Sequence, residues 1–181
     1  MLDIKTAEGE IYYTGGDDYA QVIGEDTAVV MNHLLQNVVD NGTASKLSIT
    51  TSKGKAVPLA GKTGTSSDWI DKLFVGLNPD FVSGIWIGYP LNEKIKGYNN
   101  MYTPNIWKNI IGGWIAAHYS GNDFPNSDEV VSGKYCTVTG RMAGAGCGHA
   151  KSATTGYWKK KNCPVCNGNS SVLKMVTKVD E

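Results

Sequence analysis

In this chain of 181 residues, the densest chemistry lies in Ala60-Gly61-Lys62-Thr63-Gly64-Thr65-Ser66. An ammonium, hydroxyls and two glycines in so short a run can hold an anion, and two chemistries claim them. The first is phosphate binding, because Ala56 to Thr63 fits a loosened Walker pattern with Ala56 where its first glycine belongs. That loop needs a flexible, glycine-rich backbone after a strand and a helix that begins at the Lys-Thr pair. Here Val57-Pro58-Leu59-Ala60 is stiff and strand-like, and Gly64-Thr65-Ser66-Ser67 is a poor helix start. No convincing acidic strand end follows to hold magnesium, so this reading is set aside.

The second chemistry needs a strand at the edge of a cleft. Lys62 supplies a positive charge for a substrate carboxylate. Thr63 and Thr65 alternate with Gly64, so both hydroxyls face one side while the glycine removes side-chain bulk. A peptide can then approach the backbone and pair with it as an added strand. A backbone N–H near Thr65 can stabilise an oxyanion, an effect worth ~3 kcal/mol per donor. This reading expects the Lys62 ammonium to line a cleft rather than face bulk water.

The surrounding pattern supplies the frame. Glu10 to Thr14 is strand-like and is closed by the turn signal Gly15-Gly16-Asp17-Asp18. Ala28, Met31, Leu34, Leu35 and Val38 recur at helical spacing and predict one buried stripe. Glu25 and Asp26 suit that helix's first turn, and Asn41-Gly42 predicts a left-handed stop. His33 falls within the helix, at its surface or the edge of a core. Lys55 to Thr65 reads as extended. Leu73 to Leu77 and Phe81 to Ile87 read as a hairpin joined by Asn78-Pro79-Asp80. Thr103-Pro104 predicts a second helix, with Ile106, Ile110, Trp114 and Ala117 on its buried face. His118, near the end of that helix, is assigned a structural role.

Composition excludes several classes. No apolar run approaches the ~20 residues of a membrane helix, and the N-terminus lacks the basic-then-apolar pattern of a signal peptide. The 17 basic and 17 acidic residues cancel, but unevenly. Residues 134–181 hold seven lysines and Arg141 against Asp180 and Glu181, and residues 1–133 carry the compensating negative excess. Arg141 is the one arginine, which weighs against nucleic acid, where bidentate guanidinium contacts dominate. The basic tail reads as a solvated segment. Nothing in the sequence asks for a cofactor.

Three segments follow: 1–120 with the box, hairpin and both helices, a polar linker at 121–133, and a cysteine-rich, irregular basic tail at 134–181. The run from Val57 to Asp68, followed by Leu73-Phe74-Val75-Gly76 and Gly84-Ile85-Trp86-Ile87-Gly88, resembles the C-terminal half of penicillin-binding protein transpeptidase domains. The likeness is greatest to the bifunctional kind that also carries a glycosyltransferase. It extends upstream to Val22-Ile23-Gly24-Glu25-Asp26-Thr27-Ala28 and downstream to Tyr135-Cys136-Thr137-Val138-Thr139-Gly140, which looks like the tail of some clostridial members. The resemblance implies an α+β fold, the C-terminal part of a serine transpeptidase/β-lactamase-like domain, with the box on a sheet strand lining the active site. It implies cross-linking of peptidoglycan stem peptides through a serine acyl-enzyme, acylation by β-lactams, and work on the extracytoplasmic face of the bacterial membrane. Lys62 would engage the serine of a second family motif and the substrate carboxylate. Thr63 and Thr65 would bind that carboxylate along Gly64, and the Thr65 N–H would serve the oxyanion hole. Leu73 replaces the tryptophan usual before Phe74.

The family's S-x-x-K nucleophile and S-x-N motif precede its box. Ser52-Lys53-Gly54-Lys55 matches the first pattern, but a Ser-Lys pair needs a helical turn to bring its side chains together. Ser120-Gly121-Asn122 matches the second in the wrong order. The expectation is therefore a C-terminal fragment, inactive alone, with the nucleophile and a membrane anchor on absent upstream chain. Without the upstream half of the domain, Phe81 to Ile87 would present an unpaired edge with Trp86 exposed, which predicts poor solubility. The rival class is a non-catalytic wall-binding or interaction module.

Cys136, Cys147, Cys163 and Cys166 admit three readings. Two disulfides come first, natural outside the cytoplasm. A zinc site follows, since Cys163-x-x-Cys166 plus two further ligands can build a tetrahedron. Redox chemistry is third, and no thioredoxin-like βαβ surrounds the pair. No metal site is assigned ahead of the disulfides. Tyr135, Tyr157 and Trp158 serve tail packing before sugar stacking.

Overall fold

A computed structural model describes residues 3–14, 20–97 and 99–168. The turn read at Gly15-Gly16-Asp17-Asp18 and the tail beyond Gly168 lie outside the described residues.

The chain begins with a hairpin of β1 (Asp3–Lys5) and β2 (Ile11–Thr14), then enters α1 (Glu25–Asp40). Glu25 and Asp26 occupy the first turn of α1, where carboxylates meet the positive end of the helix dipole. Val29 and Val39 are its buried residues, whereas Met31 and Leu34 of the expected stripe are exposed. The helix does not end on a left-handed residue: Asn41 has φ −134°, and its N–H and that of Gly42 return to the Asn37 and Val38 carbonyls. Gly42 serves a close passage instead, because a Cβ there would lie 2.8 Å from Val38 Cα.

Three antiparallel strands form the central sheet in the order β3 (Ala60–Thr65), β4 (Lys72–Asn78), β5 (Phe81–Ile87). The β4–β5 hairpin is the one expected, and its register pairs Asn78 with Phe81. Directly opposed residues share a face. Thr63 therefore shares one with Phe74, and Lys62 shares the other with Val75. Phe74 is fully buried and meets Trp107 edge-on at 5.5 Å, in a core with Val39, Leu47, Ile49, Val57, Leu59 and Ile115. The opposite face, bearing Leu73, Val75, Val82 and Trp86, is open, with Val82 64% and Trp86 59% exposed. Among the described residues β5 is an edge strand, as expected.

α2 (Tyr102–His118) packs on β4 and β5 through a face other than the one its spacing suggested. Thr103, Pro104, Trp107, Gly112 and Ile115 are buried, whereas Ile110 is 73% and Trp114 49% exposed. The helix is apolar on two sides, and Trp107 decides between them. Its ring lies over Gly76, where a Cβ would come within 2.6 Å of the indole, and its Nε1 donates to Ser83 Oγ at 2.7 Å. Thr103, expected as the cap, is inside the first turn, with its hydroxyl 3.4 Å from the Leu73 carbonyl.

The tail has more structure than its sequence suggested. β6 (Val130–Cys136), β7 (Met142–Ala143), β8 (Ala150–Lys159) and β9 (Val165–Cys166) form a sheet in the order β8-β6-β7-β9. β6 starts within the segment read as linker. The sheet rests on α1: Tyr157 stacks on His33, and the ammonium groups of Lys159 and Lys161 each lie 3.3 Å from the Asp26 carboxylate.

Candidate functional site

The box forms β3 because its flanks are anchored. Leu59 and Ala60 are buried, and the approach is tied down by the Val57 N–H donating to the Ile49 carbonyl. Gly61 must be glycine, since a Cβ there would meet the Phe74 ring at 2.7 Å and the Val75 carbonyl at 2.8 Å. No helix begins at Lys62, which sits in mid-strand, so the phosphate-loop geometry is absent.

Among the described residues β3 pairs with β4 alone, so its other edge carries no strand. Lys62, Thr63, Gly64 and Thr65 stand in succession along that edge. Lys62 and Thr65 are exposed. The exposed Lys62 side chain turns its ammonium back to donate to the Thr63 carbonyl at 2.8 Å. The Thr63 hydroxyl shares a 2.9 Å hydrogen bond with that of Thr43, just beyond α1. The register sets Lys62 on one face of β3 and Thr63 and Thr65 on the other, along an edge that an added strand could pair with.

Beyond Thr65 the chain makes a tight loop. The Ser66 N–H donates to the Asp71 carbonyl, the Asp71 N–H donates to Ser66 Oγ at 2.8 Å, and Asp68 and Trp69 have φ of 57° and 64°. Two non-glycine residues in the left-handed region store strain beside the box. Lys72, paired with Thr65 across the sheet, is buried with its ammonium 4.3 Å from the Trp69 ring centre. Desolvation, and then the charge of Lys94, hold its pKa below the usual lysine value. Sequence reasoning missed Thr43, Trp69 and Lys72. Lys72 could have been found, because it is a lysine at the register of Phe74, the core-facing one.

Neither of the two other motif matches, at 52–55 and 120–122, lies in a helix. Ser52 and Lys55 lie in a turn around Gly54, and the Lys55 ammonium donates to the Gly121 carbonyl. Ser120 donates through its hydroxyl and its N–H to Asp80, which together hold that carboxyl below its usual pKa.

No disulfide joins the cysteines. Cys136, Cys147 and His149 place a ligand atom each within 4.8 Å of one another, while Cys163 directs its thiol to Met142 Sδ at 3.9 Å. The Thr139 hydroxyl, followed by the Thr139 and Val138 N–H groups, lowers the Cys136 thiol to about 6. The His149 N–H acts to lower Cys147, but desolvation and the neighbouring Cys136 and Cys166 outweigh it and hold that thiol up. A cavity of about 440 Å³ between α1 and the tail is lined by His33, Asn37, Asp123 and Tyr157, away from the box.

The structure thus combines an α+β frame with the Lys62-Thr63-Gly64-Thr65 run on a sheet edge that carries no strand among the described residues. No family model matches this sequence. It is 30% identical to penicillin-binding protein 1A of Pseudomonas aeruginosa over 128 residues, 70% of this chain and 15% of that protein. Against penicillin-binding protein 2D of Bacillus subtilis it is 29% identical over 172 residues, 91% of this chain and 24% of the relative. The crystal structure of penicillin-binding protein 1A from Haemophilus influenzae superposes with a TM-score of 0.60 over 91% of this chain and 29% of that one, at 16% identity. The chain is thus similar in sequence to penicillin-binding proteins over most of its length, has the α+β fold of one of them, and spans under a third of their length.

Proposed function

We propose that this chain supplies the carboxylate-binding and oxyanion-stabilising wall of a peptidoglycan D,D-transpeptidase. The observation that carries the reading is the Lys62-Thr63-Gly64-Thr65 run on a sheet edge with no strand against it. The likeness to penicillin-binding proteins supports the substrate class: a stem peptide ending in a free carboxylate, mimicked by β-lactams.

In this reading the substrate lies along β3 as an extra strand. Lys62 exchanges its bond to the Thr63 carbonyl for the substrate carboxylate, which Thr63 and Thr65 also engage. The Thr65 N–H donates to the oxygen of the attacked carbonyl as it gains charge. A serine on another part of the domain attacks that carbonyl, the C–N bond to the terminal D-alanine breaks, and the departing amine takes a proton. A second stem-peptide amine then displaces the serine and completes the cross-link. The reaction takes place outside the cytoplasmic membrane. No helix among the described residues is long and apolar enough to cross a bilayer.

The test is covalent capture of a fluorescent penicillin. This chain alone is expected to remain unlabelled, and the chain joined to its upstream coding sequence is expected to label. Labelling of the isolated chain, or none of the joined protein, contradicts the reading.

A further inference from the structure

We propose that Cys136, Cys147, His149 and Cys166 form a closed, structural site for one divalent cation of the zinc class. The four donors come from three separate places in the tail. Cys136 ends β6, Cys147 and His149 lie on the connection from β7 to β8, and Cys166 ends β9. The topology brings them together because β6 and β7 are neighbours, β7 pairs with β9 with Ala143 opposite Cys166, and β8 pairs with β6 with Ala150 opposite Cys136.

Three donor atoms, two sulfurs and one imidazole nitrogen, already lie within 4.8 Å of one another. Around tetrahedral zinc, with metal–sulfur bonds near 2.3 Å, neighbouring donors sit roughly 3.5–4 Å apart. A small contraction therefore closes the site. Cys166 is buried beside this cluster: its carbonyl accepts the Gly144 N–H while the Gly144 carbonyl accepts that of Cys147, and it supplies the fourth donor.

The packing gives an independent reason. Among the tail residues whose burial is described, Cys136 and Cys166 are the fully buried ones. Units below about 40 residues usually need a disulfide or a metal to hold together. A sulfur-rich, tetrahedral set with one imidazole suits zinc. Two disulfides would use Cys163, which faces Met142, and would leave His149 without a part. With four protein ligands the site has no open position for catalysis, and it stands apart from the box.

The test uses the full chain purified with reductant and without chelator. Elemental analysis is expected to find one zinc per chain. Exchange for cobalt should give the intense thiolate-to-cobalt absorption of three sulfurs. Cys163→Ser is expected to keep metal and spectrum, Cys166→Ser to lose about a third of the charge-transfer intensity, and His149→Ala to shift the ligand-field bands. A reduced wild-type chain that binds neither metal overturns the proposal, as does a metal-free chain lighter by two or four hydrogens. Loss of metal from Cys163→Ser overturns the donor set.

Discussion

The imidazole of His33 lies flat on the ring of Tyr157, with centroids 3.7 Å apart and planes 6° from parallel. One ring belongs to α1 and the other to β8, so this contact joins the helix that precedes the box to the tail. Such a pair contributes about 0.5–1.5 kcal/mol beyond its buried area. Tyr157→Ala is expected to raise amide exchange in β6 and β8 while leaving β3 to β5 protected. Equal loosening of both sheets would show that the contact does not act locally.

The same junction should respond to acid. Burial acts to raise the Asp26 pKa, but Lys159, Lys161 and the Thr27 N–H outweigh it and leave the carboxyl below its ordinary 3.8. A depressed folded value means that its stabilisation is complete above the unfolded value and disappears as pH falls through the folded one. Protease sensitivity in the tail is expected to rise below about pH 4, and Asp26→Asn should show that sensitivity at neutral pH with the acid step removed. An unchanged acid step in the variant would assign it to another group.

The two sides of α2 should differ sharply. Trp107→Ala removes a buried indole from Phe74 and Ser83 and is expected to cost about 3–5 kcal/mol in urea unfolding. Ile110→Ala, on the exposed side, should stay within about 0.5 kcal/mol. Gly76→Ala drives a methyl into the same indole and should cost about 1–3 kcal/mol. A reversed order for Trp107 and Ile110 would restore the face that spacing suggested.

Much of the central unit was legible in the sequence. The strand-forming runs at Leu73 and Phe81 and the Asn78-Pro79-Asp80 connection marked the hairpin, and the box was read as a strand because Val57 to Ala60 is too stiff for a phosphate loop. The face of α2 was not legible, because Ile110 and Trp114 are as apolar as Trp107 and Ile115, and only the glycine opposite the indole decides between them. The tail sheet escaped notice because its buried positions are cysteines rather than alternating aliphatic residues, so no period of two marks its strands. Its docking on α1 includes the His33–Tyr157 stack and the Asp26 pairs with Lys159 and Lys161, which carry no signal in the order of residues. The meeting of Cys136 and Cys147 with His149, rather than with Cys163, depends on strand pairing that spacing does not encode.

The edge of β3 carries the proposed chemistry. Its most direct test is the rate of covalent capture of a fluorescent penicillin by the joined protein, with Lys62 intact and with Lys62→Ala. A hydrogen bond to a charged group is worth about 1.5–3 kcal/mol, so the substitution is expected to slow capture roughly 10- to 100-fold. The circular dichroism should not change, because the Lys62 side chain is exposed and its ammonium donates to the Thr63 carbonyl beside it. Capture at the unaltered rate would mean that this ammonium takes no part in holding the carboxylate, and the assignment of the box would fall.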